Sequence, residues 1–407
     1  MITSRRRASA LGLIAIAALA CGEDAGRGGR TTVDSAGSTV VTSTVSVWGD
    51  SAKWSIDSTP LVVIGDPTHA AAALLIDIVG VRLLDDGRLA LVSNDEKAIL
   101  YFDRSGLPVG RAGSRGNGAG EFQQTTLISA PSDSILIWDH ELDRGTMFSP
   151  GGRPVRTFAL TGDSGSRYGF APAARLENGE LLVAARIGAT LREHTGVRRE
   201  PVPLRRASAT GAVGQLLIVV PGNEQLVVST TQHVSAMERP FGRRTLIGTS
   251  GDDVLIATGE RDEVMVVRPQ GRRMLIWRIN RPGRLVDSMD RARQMVRYRA
   301  QAAQLPPEFS GPMLRAIAEA GFPTELPPYD QLLVDATGAT WLREDVGPIH
   351  RDISPQHWTI FDRKGRWLGE VTSPAGLVVH QVTRDRVVGI WTDEDGVQQV
   401  HIHTLRR

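Results

Sequence analysis

Cysteine is almost absent from this 407-residue sequence, which contains only Cys21. A single cysteine excludes an internal disulfide bond and a metal site built from several thiolates. An excess of one charge is also lacking, because 47 Lys and Arg oppose 45 Asp and Glu, for a formal charge of +2. This balance excludes charge-driven binding of nucleic acid by the whole chain. With 41% hydrophobic residues, the composition is that of a globular protein with a sizeable core.

Long apolar runs are missing, and the one clear run is at the N-terminus. Arg5, Arg6 and Arg7 precede an apolar run over residues 10–20, which is too short to span a bilayer. Residues 1–20 therefore predict a secretory signal peptide. Because the signal carries three arginines and no acid, its removal lowers the formal charge from +2 to −1. No other segment is apolar enough to cross a membrane.

The residues Ala18-Leu19-Ala20-Cys21 resemble a bacterial lipoprotein box, in which small residues precede an obligatory cysteine. The resemblance implies cleavage before Cys21 and lipidation of its thiol. Acyl chains anchor firmly, at about 0.8 kcal/mol per buried methylene. Gly22 instead of Asp after the cysteine implies an outer-membrane lipoprotein facing the periplasm or the cell surface. An ordinary signal peptide with an incidental cysteine is the alternative.

A flexible tether is predicted over residues 21–58, because residues 22–40 are rich in Gly, Ser, Thr and Asp. From residue 59 onward, short strands and turns recur in six units of about 46 residues, each with up to four strands. The sixth unit lacks a fourth strand, and an unassigned strand over residues 61–64 precedes the first unit. Closure by that strand predicts an all-β, six-bladed β-propeller over residues 59–407. A pair of β-sandwiches is the alternative, but sandwiches do not repeat in this way.

The run Gly113-Ser114-Arg115-Gly116-Asn117-Gly118-Ala119-Gly120-Glu121-Phe122, together with the strand pattern, resembles the NHL-related six-bladed propeller proteins of bacteria. The resemblance covers roughly residues 60–405. In those proteins such a run links the outer strand of one blade to the inner strand of the next. A phosphate cradle is not predicted, since residues 123–130 have the pattern of a strand where a dinucleotide fingerprint needs a helix.

Residues 285–323 depart from the β pattern and predict a helical insertion between the fourth and fifth blades. Leu285, Met289 and Val296 recur near helical spacing before Pro306 and Pro307, and a second short helix is predicted over residues 311–320. The insertion is expected either to pack on the propeller rim or to form a lid over the channel.

Polar residues at the ends of the second strands predict a binding face. By the family resemblance, these loops and the glycine-rich run lie on the same face. The candidate residues are Arg115, Asn117, Glu121, Phe122, Asp95, Asp139, His140, Arg186, Glu260, Glu344 and Asp393. Such a largely acidic ring could hold a divalent cation or attract a basic ligand. Alternatively, Asp and Asn there cap their own turns. No other cofactor is predicted.

Three smaller features have weaker functional interpretations. The third unit contains a basic loop, formed by Arg192, Arg198, Arg199, Arg205 and Arg206, which suits lipid headgroups or an acidic partner, or is simply solvated. His401 and His403 alternate onto one strand face and are expected to be exposed there. A tryptophan occupies a second-strand position in three units, and core packing between blades is expected for Trp138, Trp341 and Trp391.

Catalytic motifs are lacking, because neither HExxH nor GxSxG occurs. The sequence therefore favours a lipid-anchored binding or scaffold module that holds an envelope protein or a small ligand, and not nucleic acid. The alternative is an enzyme, either an NHL-like lyase or a lactonase-type hydrolase with a metal in the central channel. No matched set of His, Glu and Asn can be assigned to such a metal.

Overall fold

The structure is a computed structural model that describes residues 29–35, 37–66, 75–128, 133–162, 169–188, 193–230, 233–268, 274–347, 354–393 and 396–407. The predicted signal peptide, Cys21, and Arg192 of the predicted basic loop lie outside these residues. None of the described helices is long and apolar enough to cross a membrane.

The first half of the described chain consists of strands. Before the repeats come β1 (Arg30–Ser35), β2 (Ser38–Ser43), β3 (Ser55–Ile56) and β4 (Val62–Ile64). Sheet 1 contains β5 (Ile78–Leu83), β6 (Leu89–Ser93), β7 (Ala98–Phe102) and β8 (Pro108–Ala112). Next come the two-residue strands β9 (Ser114–Arg115) and β10 (Glu121–Phe122). Sheet 2 contains β11 (Thr125–Ile128), β12 (Ile135–Asp139), β13 (Arg144–Phe148) and β14 (Pro154–Ala159).

The middle of the chain is interrupted by insertions. It contains β15 (Phe170–Arg175), β16 (Leu181–Ala185), β17 (Gly196–Arg198), β18 (Pro201–Ala207), β19 (Val213–Pro221), β20 (Gln225–Ser229) and β21 (Val234–Glu238). Sheet 3 has the order β15-β16-β18-β19, and β17 pairs instead with β20 in a separate sheet, β17-β20-β21.

The last third holds three further sheets and both helices. Sheet 4 contains β22 (Leu246–Ser250), β23 (Asp253–Ala257), β24 (Glu263–Val267) and β25 (Met274–Ile279). The helices α1 (Ser288–Ala302) and α2 (Pro307–Ala320) follow. Sheet 5 contains β26 (Tyr329–Val334), β27 (Thr340–Glu344), β28 (Gln356–Phe361) and β29 (Trp367–Ser373). Sheet 6 contains β30 (Leu377–Val382), β31 (Arg386–Thr392) and β32 (Gln398–Arg406).

The six sheets form a ring. Their first strands contact one another in the circuit β5-β11-β15-β22-β26-β30 and back to β5. Apolar side chains form one buried cluster between each pair of neighbouring sheets. The second strands lie inside these clusters, so every residue of β6 and of β12 is buried, which explains their nearly continuous apolar runs. The fold is a β-propeller, and the prediction of an all-β propeller is confirmed.

N-terminal strands complete the last sheet. Val62 to Ile64 pair antiparallel with residues 400–402 of β32, and Ser55 and Ile56 pair with Arg406 and Leu405. Sheet 6 therefore joins the beginning and the end of the described chain, and its third strand has no free edge there.

The predicted tether over residues 21–58 is wrong from Arg30 onward. The strands β1 and β2 form a hairpin, and β2 pairs parallel with β25 at the outer edge of sheet 4. Val47 and Trp48 then donate backbone hydrogen bonds to the carbonyls of Trp367 and Leu368 in β29. The segment is polar but rich in β-branched Thr and Val, which suit strands, and the outer strands of sheets 4 and 5 offer it backbone partners.

The propeller has two different ends. In each sheet the second and fourth strands run in the same direction. The loops that follow the second strands therefore lie at the same end as the links that lead from a fourth strand to the next sheet. This end is here called the loop face. The turns between first and second strands lie at the other end, here called the turn face. Both helices and the sheet β17-β20-β21 are inserted at the loop face. There α2 packs on β20 and β17 through a cluster that includes Leu226, Tyr298 and Ile317.

The tryptophans and histidines divide between buried and partly exposed positions. Trp138 and Trp341 are buried between sheets, as expected, but Trp391 is only half-buried and stacks on His401, with ring centroids 5.4 Å apart. The expectation that His403 is exposed is wrong, because its side chain is 1% exposed. It is covered by the N-terminal segment, where its Nδ1 lies 2.8 Å from the carbonyl oxygen of Asp57.

Candidate functional site

The glycine-rich run folds back on itself between sheets 1 and 2. Gly113 has φ +86°, and a Cβ there would lie 2.4 Å from the Phe122 ring, so only glycine allows this close turn. Phe122 is 2% exposed and packs on Phe148. It therefore belongs to the core, and its assignment to a binding face is wrong, because the apolar ring fills the seam between two sheets.

The polar members of this run also bond within it. The carboxylate of Glu121 accepts a 2.6 Å hydrogen bond from the Gly118 amide. The Asn117 side chain accepts from Gln123, and Arg144 donates to the carbonyls of Asn117 and Glu121. Arg115 is exposed.

The candidates of sheets 1 and 2 at the loop face have mostly structural contacts. Asp139 is 2% exposed, and its carboxylate accepts from the backbone amides of Gln123, Glu141 and Leu142 at 2.7–3.0 Å. His140 Nε2 lies 2.8 Å from the Thr126 hydroxyl. Asp95 is exposed. Asp139 therefore caps its own turn.

The charged candidates of the other sheets lie in ion pairs or cap turns. Arg186 pairs with Asp143 at 2.7 Å, and Glu260 pairs with Arg199 at 3.0 Å. Asp393 accepts a 2.7 Å hydrogen bond from the Val397 amide. The two ion pairs link neighbouring loops on the same face, whereas the Asp393 bond caps its own turn.

Glu344 lies in a larger network between sheets 4 and 5. Arg281 donates to Asp262 and Glu344 at 2.7 Å and to Glu370 at 3.1 Å, and it lies over the ring of Tyr329. Burial lowers the pKa of the Arg281 guanidinium, but Tyr329 and the carboxylates outweigh it and raise the pKa overall. Burial, with the charge of Asp262, holds the pKa of Tyr329 well above its usual value. The network therefore keeps its charges and clamps two sheets together.

The predicted acidic ring is thus neutralised largely by arginines and backbone amides. Among the residues that the structure describes, no three His, Cys, Asp or Glu side chains are grouped so as to hold a metal ion. A partner on the loop face stays a prediction, as does the enzyme alternative.

The predicted basic loop of the third unit is wrong for its described members. Arg198 belongs to β17, whereas Arg205 and Arg206 belong to β18. Arg199 donates to the carbonyl of Gly222 and pairs with Glu260. The sequence predicted one basic loop here. In the structure, β17 is inserted between β16 and β18, so most of these arginines belong to two strands.

A cavity of about 1140 Å³ occupies the channel at the turn face. All six first strands contribute to its wall, as do the turns that follow them. Leu83, Ile128, Ile247 and Leu333 supply apolar surface. Concave pockets of roughly 300–1,000 Å³ with a few polar groups are the usual sites of small-molecule binding, and this cavity is slightly larger.

Two arginines of the first strands line this cavity. Burial lowers the pKa of the Arg82 guanidinium, while the nearby Asp133 and Asp85 act in the opposite direction. Arg175 is half-buried, its Nε is buried without a hydrogen-bond partner, and it pairs with no acid in the described part of the chain. Among the described residues, the cavity therefore contains a cation without an acidic partner.

His380, from β30, also lines the cavity. Burial, together with the charge of Arg343, lowers its pKa to about 4, so the imidazole is neutral near pH 7. The cavity was not foreseen from the sequence, because Arg82, Arg175 and His380 are separated by long intervals. The one sequence signal for this cavity is that each of these basic residues lies near the end of an otherwise apolar first strand.

The chain matches no protein-family model and no curated protein. It is similar to a solved member of the DUF4221 family from Bacteroides vulgatus, at 10% identity and TM-score 0.52, over 87% of this chain and 99% of that chain. It also matches virginiamycin B lyase from Staphylococcus aureus, at 8% identity and TM-score 0.40, over 87% and 99%. A third match is the calcium-binding protein regucalcin from Agrobacterium tumefaciens, at 13% identity and TM-score 0.38, over 89% and 96%.

At 10% identity, the likeness to the DUF4221 protein supports the fold alone. Fold and site together define a class: a β-propeller with a mixed cavity at the turn face and insertions on the loop face.

Proposed function

We propose that this protein is a lipid-anchored, six-bladed propeller of the NHL-related type in the cell envelope, and that it binds a small anionic ligand in the turn-face cavity. The ligand carries an acidic group for Arg175 and an apolar part for the wall. Lipidation of Cys21 and outer-membrane sorting are supported by the lipoprotein box and by Gly22.

The ligand class is inferred from Arg175, which pairs with no acid among the residues that the structure describes. A guanidinium that is partly desolvated without a counter-charge gains more from an anion than an exposed one does, because the effective dielectric is lower there. Neutral His380 adds a polar group without adding charge, and Arg82 is already balanced by acids. Leucine and isoleucine side chains supply the apolar wall.

Octanoate and octyl glucoside are suitable probes, since they share an alkyl chain and differ in charge. Isothermal titration on the chain from Gly22, which contains every described residue, is expected to show binding of octanoate and weaker binding of octyl glucoside. Arg175→Gln should weaken octanoate binding about tenfold or more, as expected for a charged hydrogen bond worth roughly 1.5–3 kcal/mol.

Arg153→Gln is the matched control, because Arg153 is exposed in the turn between β13 and β14 and does not line the cavity. It should leave octanoate binding unchanged. Equal octanoate binding by the wild-type protein and the Arg175→Gln variant would contradict the assignment of the cavity.

A further inference from the structure

The outward face of α1 is apolar along its middle and basic along both borders. Met289 and Val296 are 59% and 63% exposed, and Leu285, just before the helix, is 69% exposed. At 100° per residue, Ala292 and Ala300 fall in the same stripe. Exposed apolar side chains at this spacing form a continuous strip, which is unusual on the solvent side of a helix.

Arginines border the strip on both sides. Arg293 and Arg297 lie along one border and Arg299 along the other, and all three are exposed. The structure gives these three side chains no ion pair with a described residue. The only acid within the helix, Asp290, is buried. An apolar stripe between basic borders is the pattern of a helix that lies in the interface of an anionic membrane.

The opposite face of α1 is already occupied. Tyr298 and Ala302 are buried, and Tyr298 packs in the cluster that joins the helices to β20. The helix is therefore held by its inner face, and the residues of the outward strip are exposed.

The N-terminal end of the described chain lies near the end of β25, from which the chain continues toward α1. Arg30 pairs with Ser43, and Ser43 pairs with Ile279, the last residue of β25. Two ladder steps of about 4.8 Å place Arg30 roughly 10 Å from the strand end that leads into α1. Gly29 lies eight positions after Cys21, and eight residue steps span at most about 28 Å. Any lipid on Cys21 would thus hold this side of the loop face close to the bilayer.

We propose that the outward face of α1 binds the surface of a membrane that contains anionic phospholipid, as a second attachment beside the lipid anchor. Leu285, Met289 and Val296 enter the interface, while Arg293, Arg297 and Arg299 meet phosphate groups. The position beside the anchor rests on the proposed lipidation. The affinity of the helix for anionic lipid does not depend on lipidation, so it can be measured on the non-lipidated protein.

Vesicle flotation tests the proposal on the non-lipidated chain from Gly22. Vesicles of phosphatidylcholine with about 30% phosphatidylglycerol are expected to carry the protein, and pure phosphatidylcholine vesicles are not. Raising the salt from about 0.05 to about 0.5 M should release it, because the Debye length shortens.

Two variants separate charge from apolar contact. Arg293→Glu with Arg297→Glu should lower the partition coefficient at least about tenfold. Met289→Ser with Val296→Ser should also lower it, while the salt dependence remains. The matched control is Arg153→Glu with Val155→Ser on β14, where Val155 is 59% exposed, and it should bind vesicles like the wild type. Circular dichroism should show unchanged folding in all variants.

Absence of wild-type binding to anionic vesicles would overturn the proposal, as would binding by the helix variants at the wild-type level. A concentration-dependent dimer that disappears in the Met289→Ser, Val296→Ser variant would overturn it too, by assigning the strip to a second copy. Arg175→Gln should leave vesicle binding intact, and the helix variants should leave octanoate binding intact, so this proposal and the ligand proposal fail separately.

Discussion

His380 makes the stability of the fold sensitive to mild acid. Burial lowers its pKa to about 4, whereas an unfolded histidine titrates near 6.5. Between these values the unfolded state binds the proton and the folded state does not, so the free energy of unfolding falls as the pH drops from about 6.5 to about 4.

Urea denaturation at several pH values checks this expectation. The His380→Gln variant should lose stability less steeply than the wild type over that window, by up to about 1.4 kcal/mol per pH unit. Measurements at pH 7.5 are the control, since there any difference reflects packing alone. Identical slopes in the two proteins would refute the assignment of a low pKa to His380.

Side-chain amides join neighbouring sheets at positions that the sequence pattern did not reveal. Gln381 accepts from the Leu83 amide at 2.7 Å and donates to the Leu83 carbonyl. Asn94 does the same with Thr125. An amide carries both a donor and an acceptor, so it can pair with a peptide group as another strand would. The periodicity of apolar residues predicted the clusters between sheets. It did not predict these hydrogen bonds, because the two partners lie up to 298 residues apart.

The candidate site shows the same limit. The alternation of apolar residues predicted that the candidate residues lie at the ends of second strands. The role of each side chain was not predicted, because it depends on a partner from another sheet. Asp139 as a turn cap was among the expectations, whereas the pairing of Glu344 with Arg281 depends on how sheets 4 and 5 meet.

At the scale of elements, residues 29–35 and 37–66 act as a strap along the outer edges of sheets 4, 5 and 6. Trp48 is its central contact: it packs against Trp54 at 5.0 Å, and Trp54 stacks on Trp341 at 6.0 Å. A Cβ on Gly369 would lie 2.3 Å from the Trp48 ring, so the glycine makes room for the indole. Low hydrophobicity in this segment suggested a tether, because edge pairing depends on backbone groups that composition does not reveal.

Trp48→Ala is expected to loosen the strap while the propeller stays folded. Loss of this half-buried ring should lower the free energy of unfolding by about 2 kcal/mol. Hydrogen exchange should accelerate at the amides of Val47 and Trp48, which bond to β29, and not in β6. Trp48→Phe should retain most of the protection. Unchanged exchange at these amides in the alanine variant would rule out Trp48 as the contact that holds the strap.

At the scale of the whole molecule, closure of the ring depends on β4. Ile64 is 2% exposed and lies in the cluster between sheets 6 and 1. In a ring, every sheet packs against two neighbours. Loss of packing between sheets 6 and 1, where the ring closes, is therefore expected to destabilise the entire fold.

Ile64→Ala should therefore lower the unfolding midpoint measured by tryptophan fluorescence and by circular dichroism together, with a cost of about 2–5 kcal/mol. Leu61→Ala is the control, because Leu61 is 58% exposed and its truncation should change stability by less than about 0.5 kcal/mol. Separation of the two probes in the Ile64→Ala variant would mean that sheet 6 unfolds alone.

The closure of sheet 6 also sets the order in which the molecule can be completed. The strands β3 and β4 are synthesised early, whereas their partner β32 is synthesised more than 300 residues later. During that interval the ring is open, and the inner seam between sheets 6 and 1 is exposed to water. Because β3 and β4 pair only with β32, the ring closes only after residues 398–406 have been synthesised.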